Sequence, residues 1–127
     1  MANDPKEDVS ELLAPMLKKT LHVALVKALA TSGEMLPFAV DHLRYMNELE
    51  ARGVLFASGP FVQQGVIVGD GLTILNTGDA AAARRLMEEE PLIKRGMRSF
   101  ELRKWELREG RIPINLRLSR SAFDLGS

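Results

Sequence analysis

A chain of 127 residues, 46% hydrophobic and 27% charged, has the material for one domain with an apolar core, and its 17 basic side chains balance 17 acidic ones, leaving no net field to gather nucleic acid or an anionic membrane. The absence of cysteine excludes disulfides, thiolate zinc sites and a cysteine nucleophile, and suits a reducing, cytoplasmic setting. The polar start MANDPKEDVS and the lack of any run of about 18 apolar residues give neither a signal peptide nor a membrane span.

In chain order, residues 1–10 read as loose. Ser10 then caps a short helix, ELLAPMLKK, which Pro15 keeps irregular and whose Lys18 and Lys19 suit a helix C-terminus. TLHVALVKAL (20–29) is a strand of nearly continuous apolar character, the pattern of a sheet covered on both faces. TSGEM is a loop, and Pro37 sits in the first turn of a helix that closes near Gly53, a left-handed cap. VLFASGPF (54–61) is a strand stopped by Gly59-Pro60. In QQGVIVGDGLTILN two short apolar runs flank Gly69-Asp70-Gly71, which has turn chemistry; a phosphate-cradling loop would need more glycines and a strand-to-helix setting.

Thr77 or Asp79 caps the alanine-rich helix AAAARRLMEE, which ends before Pro91 because the residue preceding proline avoids the α region. Its Arg84-Arg85 pair is followed by Glu88-Glu89-Glu90, the mark of a solvated face rather than a phosphate-binding stripe. RSFELRKWEL (98–107) is the last main strand. The tail IPINLRLSRSAF alternates Ile114, Leu116 and Leu118 with polar residues, the period of a half-buried strand whose apolar side needs a partner surface.

Strand, helix, two or three strands, helix, strand is the order of a ferredoxin-like βαββαβ fold of the α+β class, with both helices on one sheet face. The other face is then apolar and bare in a monomer, which predicts a homodimer packed sheet to sheet. The chain divides into an extension with a short helix (1–19), the ferredoxin-like domain (20–107) and a tail (108–127) that is a candidate arm across the dimer interface.

His42 lies within the helix PFAVDHLRYMNELEARG. At about 100° per residue, Phe38, Ala39, Tyr45, Met46 and Leu49 all fall within about 60° of it, while Asp41, Arg44, Asn47, Glu48 and Arg52 take the opposite side. His42 therefore points toward the sheet from the centre of the buried face. A buried imidazole must satisfy both ring nitrogens, and one left unpaired costs about 1–3 kcal/mol. Two readings stand at this point. In one the ring bonds to a backbone carbonyl and fills the core; in the other a carboxylate from elsewhere orients it, fixes the tautomer and makes it a general base. Asp41 is not that carboxylate, because adjacent helical residues diverge. His22, on the first strand with no local acid, reads as structural. With no close His or acid spacing around either histidine, no metal site is expected.

His42-Leu43, Gly53 eleven positions on, Ser58-Gly59-Pro60, then Glu90-Pro91 with Gly96 six positions after the acid: this ordered set over about residues 20–107 resembles the YCII-related superfamily. The resemblance implies a fold similar to the dimeric α/β-barrel proteins and a catalytic histidine–aspartate dyad, the histidine on the first helix and the acid before a proline after the second. His42 matches the histidine. Glu90 occupies the acid position, a departure from aspartate that keeps the charge and lengthens the side chain by one methylene; Glu89 is its neighbouring competitor, and a solvated helix-end acid is the alternative reading of Glu90.

The activity best associated with that superfamily is elimination of chloride from a chlorinated hydroxyhydroquinone during aromatic degradation, and the longer form seen here, extended at both ends, looks like the dehydrochlorinase subgroup. The resemblance thus implies a cofactor-independent lyase acting on a small aromatic substrate. His42, oriented by Glu90, would take a phenolic proton. Ser58, beside Gly59 and Pro60, would bond a substrate oxygen, and Phe38, Tyr45 and Met46 would wall the ring or else serve as plain core. Lys27, the charge inside the first strand, has no assigned role. An isomerase of an unsaturated lactone on the same scaffold and a non-catalytic binding or accessory dimer are the competing readings.

Overall fold

The computed structural model describes residues 8–125. The chain falls into two compact units, Lys19–Leu107 and a second formed by the described residues that flank it, 8–18 and 108–125. The larger unit contains β1 (Lys19–Ala28), α2 (Ser32–Met35), a 3₁₀ turn (Leu36–Phe38), α3 (Ala39–Ala51), β2 (Leu55–Gln63), β3 (Val66–Leu75), α4 (Ala80–Glu88), α5 (Pro91–Lys94) and β4 (Arg98–Leu107); α1 (Val9–Leu13) lies before it. Its four strands form one antiparallel sheet in the order β2-β3-β1-β4, the ferredoxin-like arrangement expected from the element order.

Register sorts the side chains onto two faces. His22, Ala24 and Val26 of β1 lie opposite Leu75, Thr73 and Gly71 of β3 and opposite Lys104, Leu102 and Phe100 of β4. On this face Ala24, Val26 and Leu75 pack with Leu49 of α3 and Ala83 and Met87 of α4, and Tyr45, Met46, Leu86, Ile93, Phe100 and Leu102 close around them. The opposite face carries Val23, Leu25, Leu72, Ile74 and Trp105, which line a cavity of about 450 Å³ together with Arg103 and Lys104. Within Lys19–Leu107 no helix covers that face.

The residue pattern of α3 is met as expected: Leu49 is fully buried, Phe38, Ala39, His42, Tyr45 and Met46 are half-buried, and Asp41, Arg44, Asn47, Glu48 and Arg52 are exposed. TSGEM, read as a loop, is a helical turn. Thr31 accepts from the Glu34 amide while Glu34 reaches back to the Thr31 amide, a reciprocal capping box that satisfies the first orphan donors of α2. Near the N-terminus Asp8, not Ser10, caps α1, its carboxylate accepting from the Ser10 amide at 2.9 Å. Residues 8–10, expected to be loose, are therefore cap and first turn, and the rest of that expectation, on residues 1–7, falls outside the described residues.

The hairpin between β2 and β3 also differs. Gly59-Pro60 does not stop β2, which continues to Gln63, and Gly69-Asp70-Gly71 lies inside β3. The turn is Gln64-Gly65, two residues with φ of 50° and 77°, the two-residue hairpin whose twist matches the strands. Pro60 is tolerated because β2 is an edge strand and the register shifts between Pro60 and Val62. Gly69 is a packing glycine: a Cβ there would stand 2.8 Å from Met35 Cε and 2.9 Å from Ala28 Cβ. Where β1 and β3 part, the Asp70 carboxylate accepts the Ala28 amide at 2.8 Å in place of a ladder bond.

In the smaller unit, the tail strand ends at Arg117. β5 (Ile114–Arg117) pairs with β6 (Ala122–Leu125) across a 3₁₀ turn at Leu118–Arg120 and Ser121 in left-handed geometry, so the tail is a hairpin; Ile114, Leu116 and Leu118 are exposed.

Candidate active site

Three local rules place the site. Asp79 caps α4 by accepting from the Ala81 amide, with Thr77 accepting from the Asp79 amide behind it. α4 ends at Glu88, and Pro91 starts a second, four-residue helix, α5, at the first-turn position proline favours. Of the two residues between them, Glu90 is the N-cap of α5: Oε1 accepts from the Leu92 amide at 3.1 Å and Oε2 from the Ile93 amide at 3.3 Å.

From the other side, α3 brings His42 to the same carboxylate. His42 Nδ1 donates to Glu90 Oε1 at 2.6 Å, across 48 positions of sequence. Glu90 is 2% exposed, while the His42 side chain remains 21% exposed. A carboxylate accepts all three of these bonds, so the shared proton belongs to Nδ1, and Nε2 is the ring nitrogen that no hydrogen bond among the described residues engages. Burial is the largest influence on the Glu90 carboxyl and pushes its pKa up. The His42 hydrogen bond, the Leu92 amide, the His42 charge and Arg98 outweigh it and hold the group below the ordinary glutamate range. Glu89 takes no part: it is exposed and paired with Lys94 at 3.0 Å.

The structure treats the remaining expected residues unevenly. Tyr45 packs on the core and donates its hydroxyl to the Leu86 carbonyl at 2.5 Å, tying α3 to α4. Burial, followed by Glu89, pushes that hydroxyl above its ordinary pKa. Met46 packs on the core as well. Phe38, one turn before His42, lies under the Arg95 guanidinium, 3.9 Å from the ring centroid. Ser58 shares a 3.0 Å hydrogen bond with Thr73 on the helix-covered face, while Gly59, opposite Leu72, belongs to the bare face. No hydrogen bond or ion pair joins Ser58, Gly59 or Pro60 to His42 or Glu90 among the described residues. His22 is buried, its Nδ1 2.8 Å from the Thr77 carbonyl, a satisfied core histidine. Among the described residues, no three His, Asp or Glu side chains gather as a metal site would require.

Two cations escaped the sequence reading. Arg95 closes α5 over Phe38, and Arg98 opens β4 beside the Glu90 carboxylate, its Nε buried and without a partner among the described residues. Nothing in the sequence distinguishes them from the other arginines of a chain so evenly charged. The one signal was positional: both follow Glu90-Pro91 within eight residues.

The arrangement as a whole is a histidine held by a buried carboxylate with its second nitrogen available, the geometry of a general base. No helix among the described residues is long and apolar enough to cross a membrane. No curated protein matches the chain. Among solved structures, it is similar to the 5-chloro-2-hydroxyhydroquinone dehydrochlorinase of Burkholderia phenoliruptrix AC1100 in complex with 2,5-dihydroxybenzoquinone, with a TM-score of 0.58 and 18% identity over 67% of this chain and 92% of that one. At that identity the likeness speaks for the fold. The model of the YCII-related domain matches residues 20–106, the sheet and helices that carry His42 and Glu90, and the chain belongs to the YCII-related family.

Proposed function

We propose that the protein is a small dehydrochlorinase-type lyase of aromatic degradation, in which His42, oriented by Glu90, acts as general base on a chlorinated hydroxyhydroquinone. The observation that carries this reading is the 2.6 Å hydrogen bond from His42 Nδ1 to a carboxylate already anchored by two backbone amides. That bond fixes the tautomer and supports the imidazolium that forms when Nε2 takes a proton. The structural likeness to an enzyme of this substrate class supports the choice of ligand.

In the proposed reaction His42 takes a proton from a phenolic oxygen, and the electron-rich ring takes it back at the chlorine-bearing carbon. Loss of a second phenolic proton then turns that C–O into a carbonyl while the C–Cl electron pair leaves as chloride. The sum is loss of HCl and formation of a hydroxyquinone; the carbon skeleton is oxidised as chloride departs, so the balance calls for no external oxidant. The substrate-side roles of Ser58, Gly59, Pro60, Phe38 and Tyr45 belong to this proposal, with Tyr45 acting through its ring, since its hydroxyl is committed to Leu86. A cytoplasmic homodimer, closed over the bare sheet face, completes it.

The test is direct. Purified protein is mixed with 5-chloro-2-hydroxyhydroquinone while quinone absorbance and free chloride are followed. Release of chloride that falls by about 10²–10⁴-fold in His42→Ala supports the reading. No chloride above background, or full activity in His42→Ala, ends it. The cavity of about 450 Å³ on the bare face, whose lining does not include His42, favours one second reading, a non-catalytic dimer that binds small molecules; ligand binding that survives His42→Ala would support it.

A further inference from the structure

Arg98 is a cation whose charge reaches Glu90 but which forms no salt bridge or hydrogen bond among the described residues. It is the first residue of β4, opposite Ala28, and register puts it on the helix-covered face. The Met97 amide just before it bonds to the Leu92 carbonyl at 2.9 Å, which fastens the start of β4 to the first turn of α5, the turn that Glu90 caps. Arg98 is therefore held beside the dyad. Its Nε is buried with no hydrogen-bond partner, and none of its other guanidinium N–H groups is taken by a described residue.

A buried donor left unpaired costs about 1–3 kcal/mol, more when charged, so a guanidinium in this position calls for an explanation. Ion pairing with Glu90 is not the explanation. That carboxylate is already committed to His42, Leu92 and Ile93, and no salt bridge joins it to Arg98. A planar fork of donors, partly desolvated and next to a base that strips protons from oxygen, matches the charge that such a base creates.

We infer that Arg98 is the anion-binding residue of the His42–Glu90 site, its guanidinium receiving the ring oxygen that becomes negative when His42 removes the proton. The inference rests on the proposed function for its substrate class and adds the group that recognises the oxyanion. The ligand it selects is a planar ring bearing an ionised hydroxyl, in preference to the same ring with that oxygen methylated.

The experiment compares 2,5-dihydroxybenzoquinone, anionic at neutral pH, with 2,5-dimethoxybenzoquinone, its neutral counterpart, by calorimetric titration of the wild-type chain and of Arg98→Gln, Arg98→Met and Arg98→Lys. The expected result is at least a tenfold loss of affinity for the dihydroxy ligand in Arg98→Gln and Arg98→Met, a smaller loss in Arg98→Lys, and affinity for the dimethoxy ligand within about twofold throughout. Unchanged affinity for the anion, equal losses for both ligands, or a wild type that prefers the neutral ring overturns it. Should Arg98→Gln and Arg98→Met fail to fold, Arg98→Lys carries the test, since a point charge cannot reproduce the fork: a loss for the anion alone supports the role, and no loss overturns it. Selective anion binding without chloride release would sink the dehydrochlorinase reading and leave Arg98 in place. Chloride release that Arg98→Gln leaves unchanged would sink Arg98 alone, and a wild type that binds neither ligand sinks both.

Discussion

The Glu90 carboxylate accepts three hydrogen bonds at once, from two kinds of donor. Two are amides at the start of a helix, which otherwise have no partner; the third is an imidazole half-withdrawn from water. Because these donors hold the carboxyl below its ordinary range, ionised Glu90 contributes stability above the ordinary glutamate pKa, and that contribution is lost as pH falls through the depressed native value. Glu90→Gln keeps one acceptor and the shape but gives up the charge. It is expected to cost about 1–3 kcal/mol at neutral pH and to flatten the acid dependence of thermal melting, which melts recorded from neutral to acid pH would check. A variant with the wild-type acid profile would place the pH dependence elsewhere. At this scale the sequence revealed half of the site. His42 was legible because thirteen residues of regular helix fix where each side chain points; its partner was not, since no periodicity links positions 48 apart, and only the family's spacing indicated Glu90. Arg98 gave no signal beyond its place shortly after Glu90-Pro91, because what sets it apart is the lack of a hydrogen-bond partner, which only the folded chain reveals.

The strands β1 and β4 and the helices α3 and α4 could be read from their pattern, while ten-residue β3 and the four-residue helices could not. β4 was expected at 98–107 and is found there, and β1 lies within one residue of its expected span. α2 and α5, four residues each, are too brief for a hydrophobic period to register, and both are announced instead by their caps, a Thr-x-x-Glu box and a Glu-Pro start. The hairpin was misread for a related reason. Gly69-Asp70-Gly71 has the composition of a turn, yet Gly69 is small because Met35 and Ala28 crowd it, and Asp70 is present to bond the Ala28 amide. Gly69→Ala would add a Cβ at 2.8 Å from Met35 at a residue with φ of 97°, so a loss of about 1–3 kcal/mol is expected, read as a lowered melting temperature. Wild-type melting in that variant would show that the strand and α2 can part at no cost.

A four-stranded sheet with helices on one side leaves Val23, Leu25, Leu72, Ile74 and Trp105 with no helix of Lys19–Leu107 over them. The nearly continuous apolar character of β1 was the sequence's indication that this side needs a cover, and a second copy of the chain is the proposed one. Sedimentation at micromolar concentration is expected to give a dimer for the wild type and a monomer for Ile74→Glu, with circular dichroism unchanged. A wild type that sediments as a monomer would rule out sheet-to-sheet pairing. α5, finally, is only four residues long, below the length at which a helix persists unaided, and Glu90 both starts it and orients His42. Under the proposed function His42 thus has its orienting partner only where that first turn is formed, so a substitution that unwinds α5 would reach the site without touching the histidine.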